Sequence, residues 1–183
     1  MNRATRRKPA LIAVDGVDAT AVLAEARAAL GSPMWGGISR WDSSGVFQEL
    51  AVADAEAGAP SARTLLLLYA ADLAFRLRWQ IRPALAEGRT VVAAPYVETA
   101  IAFGRAAGLK AGWLTNLFRF APRAAERRFV DSQSAREIAK DGFVGFACDR
   151  MGTEIGSRTR REITEETVAH LRRTAQRPRA RKR

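Results

Sequence analysis

Short apolar runs alternate with longer stretches in which apolar residues recur every three or four positions along most of the 183 residues. Residues 10–14 form a run of the kind buried in a parallel sheet, and 17–30 follow as an alanine-rich helix carrying Leu23 and Leu30, stopped by Gly31 and Pro33. Residues 34–39 predict a second strand broken by two glycines, and 43–57 a helix ended by Gly58-Ala59-Pro60. The clearest helix is expected over 61–86, with Ser61 as N-cap and Leu66, Tyr69, Leu73 and Leu77 along one face; Pro83 should kink it or open a new turn. Gly88 closes that element, 90–94 reads as another buried strand, and 96–107 as a helix stopped by Gly108. A helix over 111–120 carries Trp113, Leu114, Leu117 and Phe118, and 127–131 reads as the next strand. Further on, 135–140 predicts a helix, 142–156 is interrupted by glycines, and 164–175 is a last helix opened by Thr164 with Glu165 and Glu166 in its first turn. Strand alternating with helix implies an α/β fold whose parallel strands are joined by right-handed helical crossovers.

The length suits one domain with a sizeable core. The net charge of +11 resides in the two ends: Arg3, Arg6, Arg7 and Lys8 supply four charges and the stretch from Arg172 to Arg183 seven, so the body is formally neutral. The expected organisation is a basic arm over 1–8, one α/β domain over 9–175 and a basic tail over 176–183. A dedicated nucleic-acid domain carries its basic stripe on a folded face, so this distribution favours at most weak, salt-sensitive attraction of nucleic acid or anionic surfaces to the ends. The single cysteine, Cys148, excludes an internal disulfide and a cysteine metal cluster. No stretch has the length of a membrane helix, and the apolar run after the basic arm is too short for a signal peptide; no membrane partner and a cytoplasmic location are expected.

The turn from the first strand into the first helix, Asp15-Gly16-Val17-Asp18-Ala19-Thr20-Ala21-Val22-Leu23, has the outline of a phosphate loop with Val22 where the loop's lysine belongs. Downstream lie Leu65-Leu66-Leu67-Leu68-Tyr69-Ala70-Ala71-Asp72, then Ile81-Arg82-Pro83-Ala84-Leu85-Ala86-Glu87-Gly88-Arg89-Thr90-Val91-Val92, then Tyr96-Val97-Glu98-Thr99-Ala100-Ile101-Ala102-Phe103. In order and spacing these segments resemble the bacterial thymidylate kinases, over 10–131 and most strongly over 65–109. The resemblance implies a three-layer P-loop nucleoside monophosphate kinase fold, a parallel sheet flanked by helices, and transfer of the ATP γ-phosphoryl group to dTMP.

Residue by residue, the resemblance holds the frame and drops the chemistry. In the loop, Gly16 and Asp18 match the family; Ala19 and Ala21, either side of Thr20, replace glycines, Val22 replaces the lysine and Leu23 the hydroxyl that binds Mg²⁺. Ala94-Pro95-Tyr96 stands where the family has Asp-Arg-Tyr, and Leu73 where an arginine follows Ala-Ala-Asp. Arg40, in Ser39-Arg40-Trp41-Asp42, corresponds to the arginine of the family's monophosphate segment, and Tyr96 and Phe103 to aromatics bordering the dTMP pocket. Asp18, Arg40, Tyr96 and Phe103 are therefore the candidate nucleotide-binding residues. Asp149-Arg150 reads as a remnant of the lid, in a C-terminal part that is shortened or altered and shows no final strand or adenine loop. The family also implies a homodimer through the faces around 68–77 and 97–103.

These losses predict a catalytically degenerate thymidylate-kinase-like protein with a binding, regulatory or scaffolding role, with no confident catalytic residue, no metal site and no cofactor. Phosphoryl transfer rests on positioning and charge, so losing both the cation and the Mg²⁺ ligand costs orders of magnitude in rate. One alternative is an active kinase using ATP and Mg²⁺, with a displaced cation such as Lys8 or one of the arginines of 123–128 restoring the charge. Another is a nucleic-acid-associated protein working through its tails.

Several residues have plainer readings beside functional ones. Asp15 and Asp18 suggest paired carboxylates, but equally a strand end and a helix cap. His170, the only histidine, sits among arginines in the last helix, and a solvated helix role is the simpler one. Arg105, Arg119, Arg123, Arg127 and Arg128 either line an anion site at the sheet's edge or are scattered surface charge. Trp35, Trp41, Trp79 and Trp113 read as packing or interface residues rather than a base-stacking platform.

Overall fold

Four parallel strands form the sheet, in the order β2-β3-β1-β4, in the computed structural model, which describes residues 9–52, 58–131, 142–151 and 159–176. They are β1 Leu11–Asp15, β2 Gly36–Arg40, β3 Thr90–Ala94 and β4 Glu126–Phe129. β1 is central, with Ile12 opposite Val92 on one side and Glu126 on the other. Because side chains alternate along a strand, Leu11 and Ala13 enter one core layer and Ile12 and Val14 the other. Both sheet faces are covered, so the fold is a three-layer α/β sandwich.

The thinner layer is α1, Ala19–Leu30, which lays Val22, Ala26, Ala29 and Leu30 on Ile12, Val14, Val92 and Ala94. It starts two residues later than expected because Asp18 caps it, accepting from the Ala21 N–H at 2.9 Å, and it stops at Gly31, whose φ of 76° is cheap only without a Cβ. A 3-10 turn over Pro33–Trp35 takes the first residues of the expected second strand, so β2 begins at Gly36. There a Cβ would fall 1.6 Å from the Thr90 carbonyl oxygen of β3.

The thicker layer holds α3, Ala62–Arg76, and α5, Val97–Ala106, with α6, Ala111–Leu117, α7, Phe143–Arg150, and α8, Arg160–Gln176. Ser61 caps α3 as expected, accepting from the Thr64 N–H at 3.1 Å. Leu65, Leu66, Tyr69, Leu73, Leu77 and Ile81 are fully buried on its inner side, each stabilising the fold by about 1.5–3 kcal/mol. The long helix is not continuous. A π turn over Leu77–Ile81 separates α3 from α4, Arg82–Ala86; Pro83 has no N–H for the carbonyl four residues back, and widening the preceding turn is one way a helix accommodates that.

Two further expectations are corrected, and one open stretch is filled. The helix after β2, α2, described over Val46–Val52, begins three residues later than expected because Asp42 caps it by accepting from the Phe47 and Gln48 N–H groups; the rest of its expected span lies outside the described residues. The glycine-interrupted stretch contains α7. The last helix starts four residues before Thr164: Thr159 and Glu162 form a reciprocal capping box, while the Thr164 hydroxyl donates to the Arg160 carbonyl inside the helix. The basic arm, the tail beyond 176 and the expected 135–140 helix lie outside the described residues. Among the described residues nothing after β4 is a strand, and no helix is long and apolar enough to cross a membrane.

Candidate functional site

The C-terminal ends of β1, β2 and β3 converge where a doubly wound sheet offers its binding crevice. Here that crevice is narrowed to a small hollow. Val22 is 3% exposed, and its side chain points down against Gly16 rather than out along the loop. A Cβ on Gly16 would come within 2.8 Å of the Val22 Cγ2 and 3.0 Å of the Val130 Cβ, so this glycine serves side-chain packing. From above, Gly142 rests on Ala19 and the Val17 carbonyl, and brings Phe143 over the loop. The cavity left among Gly16, Val22, Leu23, Arg40, Ala94 and Phe143 measures about 60 Å³, room for about two waters.

ATP and Mg²⁺ do not fit these residues. Val22 supplies no charge, the Leu23 side chain no oxygen, and Asp18 is occupied with capping α1. Thr20 is exposed and Ala21 half-buried in the first turn of α1. Ala94 and Pro95 offer neither carboxylate nor guanidinium.

Around this closed loop runs a buried polar network. Asp15 is 1% exposed, and its Oδ1 accepts from the Tyr96 N–H, the Thr99 N–H and the Thr99 hydroxyl at 2.9–3.0 Å. Burial pushes its carboxyl up to about 6, against the pull of those donors and with help from Glu98. Because the folded chain holds this proton more tightly than the unfolded one, the group's stabilising contribution is complete below about pH 4 and disappears as the pH rises through 6. Asp15→Asn should remove that dependence. In denaturant titrations, the stability of wild type relative to the variant should fall between about pH 4 and 6, by at most about 1.4 kcal/mol per pH unit; parallel profiles would contradict it.

Next to it, Arg76 is fully buried. Its Nε donates to the Ser39 hydroxyl, its Nη2 to the Ser39 and Pro95 carbonyls at 2.8 and 3.0 Å, and its Nη1 lies 3.8 Å from the buried Asp72 carboxylate. Asp72 also accepts from the Asp42 and Ser44 N–H groups. This guanidinium ties the ends of β2 and β3 to α3 through Nε and Nη2, while its buried Nη1 makes no hydrogen bond. Sequence reasoning passed over it, although an Asp-Arg pair four residues apart on an otherwise apolar helix face is a legible signal. Thr99 and Phe143, by contrast, have no local signature.

The other expected residues part company. Arg40 is exposed at the mouth of the small cavity and lines a second, open hollow of about 540 Å³ between the end of β2 and α2, with Trp41, Phe47 and Phe146. The Trp41 Nε1–H is buried there without a hydrogen-bond partner. Tyr96 and Phe103 are in the main core: the Tyr96 hydroxyl donates to the Pro122 carbonyl, and Phe103 packs on Phe143 with ring centres 5.3 Å apart. Arg127 pairs with Glu98, and Arg128 with Glu25 and Glu126, while Arg105, Arg119 and Arg123 are exposed and lie apart from the loop. His170 contacts Arg173 on α8, and partial burial with the neighbouring Arg173 and Arg105 lowers its pKa. Of the expected dimer faces, the one on α5 is covered by α8, and the one on α3 is partly open.

No family model matches this chain. A probable thymidylate kinase of Pyrococcus horikoshii is 42% identical to it over 57 residues, which is 31% of this chain and 28% of that protein. The crystal structure of a thymidylate kinase from Ehrlichia chaffeensis superposes with a TM-score of 0.58 at 15% identity, over 68% of this chain and 72% of the other. The fold, a parallel sheet between helical layers, is similar to that structure, and with the partial sequence match it makes this chain thymidylate-kinase-like.

Proposed function

We propose that this protein is a catalytically degenerate member of the thymidylate-kinase-like group, acting by binding rather than by phosphoryl transfer. The observation that carries the reading is Val22: the residue in the lysine's place is part of the core, packed on the glycine that should face phosphate. Of the cations that could have been relocated, Arg127 and Arg128 already face carboxylates, Arg123 is exposed, and Lys8 lies outside the described residues. The open hollow beside Arg40 is the remaining place for a ligand. Arg40 is exposed and has no ion-pair partner among the described residues, and the half-buried Trp41 and Phe146 supply ring surface. Such a site suits a planar ring carrying an anionic group, and a nucleoside monophosphate such as dTMP has that chemistry.

Calorimetric titration with dTMP and with ATP, Mg²⁺ present, tests this directly. The expected result is one-site binding of dTMP, weakened about tenfold in Arg40→Ala as one charge-assisted hydrogen bond is lost, with no ATP heat and no dTDP formed. Metal-dependent dTDP production above the uncatalysed background would overturn the degenerate reading.

A further inference from the structure

We propose that the last turns of α5 and α8, with the basic stretch that follows α8, hold the phosphate backbone of a nucleic-acid duplex. Arg105 lies in the last turn of α5 and Arg173 in the last turn of α8. The two helices pack together, and both arginines act on His170, the sole histidine. The Arg173 Nη2 stands 2.8 Å from the His170 Nδ1; a guanidinium only donates, so this ring nitrogen accepts and the imidazole is neutral. Both arginines are exposed, and neither has a carboxylate partner among the described residues.

A cation in the last turn of a helix complements that helix's own carbonyl end, which accounts for each arginine singly. It does not account for one guanidinium donating to an imidazole while a second is brought alongside from another helix. The local charge has the sign an anion needs. After partial burial, Arg173 and then Arg105 hold the His170 pKa down, and Glu166, which pulls the other way, counts for less than either. Arg172, the neighbouring cation on α8, is paired with Asp131.

From this patch the sequence continues as Arg177-Pro178-Arg179-Ala180-Arg181-Lys182-Arg183, with no acid. Two guanidinium groups fixed by helices and then a run of cations match a line of phosphates, and a duplex, with one charge per about 1.7 Å of axis, is a dense line of that kind. The rival polyanions fit less well. A single strand is held by bases stacked on aromatic rings, and a bilayer by apolar side chains entering its acyl layer. Beyond His170 the only large apolar side chain is Leu171, and it is 5% exposed.

The test is fluorescence anisotropy of the full chain with labelled DNA and RNA duplexes of about 20 base pairs, between about 50 and 300 mM salt. Arg105, Arg173 and the five cations beyond Gln176, each meeting a phosphate, would contribute a slope of about −6 in log K against log salt. Arg105→Ala/Arg173→Ala should make the slope shallower by about 2 and weaken binding about tenfold at low salt. Arg27→Ala/Arg78→Ala removes the same charge from exposed positions on other helices, and should change the slope by less than about 0.5. An unchanged circular dichroism spectrum checks the fold, and the duplex bound more tightly names the source of the phosphates. Absence of binding to either duplex, a slope that survives the loss of Arg105 and Arg173, or equal losses in the two double variants would overturn the proposal, the second outcome assigning attachment to the chain ends alone. So would tighter binding to a single strand of the same length or to phosphatidylserine vesicles.

Discussion

Replacing Arg76 by alanine should lower the stability of this protein by about 3–5 kcal/mol, the range for breaking a buried ion pair by removing one partner. The reason is the state in which the rest is left. Asp72 keeps a full charge at a position with no solvent contact, and the Ser39 and Pro95 carbonyls lose their donor. The ends of β2 and β3 would then be connected to α3 through the Asp42 and Ser44 N–H bonds to Asp72, the Tyr69 hydroxyl bond to the Tyr96 carbonyl, and apolar contacts. Denaturant titration reads the loss, and a second variant separates charge from packing. Arg76→Met with Asp72→Leu removes both charges at similar volume and should cost less than Arg76→Ala alone. If the double variant is the less stable, the hydrogen bonds from Asp42 and Ser44 to Asp72, rather than the stranded charge, dominate this site.

Phe143→Ala should cost a comparable amount, about 3–5 kcal/mol, for a different reason. Phe143 is 1% exposed and meets the rings of Tyr69, Phe103, Phe47 and Trp41 at centroid distances between 4.5 and 6.1 Å. It is the pivot of an aromatic cluster joining α2, α3, α5 and α7, and its removal leaves a void with rigid walls. Phe120→Ala, 42% exposed at the end of α6, is the control and should stay within about 0.5 kcal/mol of wild type. Because Phe143 also covers the loop, its loss should enlarge the cavity there without bringing in phosphoryl transfer, since neither cation nor metal ligand is restored. A chemical denaturation curve and a dTDP assay on the same preparation check both halves.

The strands were legible because a strand buried on both faces needs an uninterrupted apolar run, and 10–14 and 90–94 have one. Element ends were less so. The start of α8 depended on Thr159 and Glu162, a capping pair embedded in a polar stretch with no apolar period to mark it. The π turn depended on a proline whose effect is felt before it rather than at it. At the site, the absent lysine and hydroxyl are visible in the residues themselves, but what filled the space is not. Phe143 comes from a segment whose glycines obscure its helix, and Thr99 reaches Asp15 across 84 positions. Such contacts follow from how the sheet is assembled and leave no local mark.

The packing of Val22 makes a lysine at that position costly. A lysine at that position would set an ammonium among Ile12, Val14, Val130 and the Gly16 backbone, with no anion in place to receive it. On the proposed reading, such a lysine would give a less stable protein and would gain nothing until glycines and a hydroxyl were introduced with it: each apolar contact that closes the loop raises the number of changes needed at once to open it.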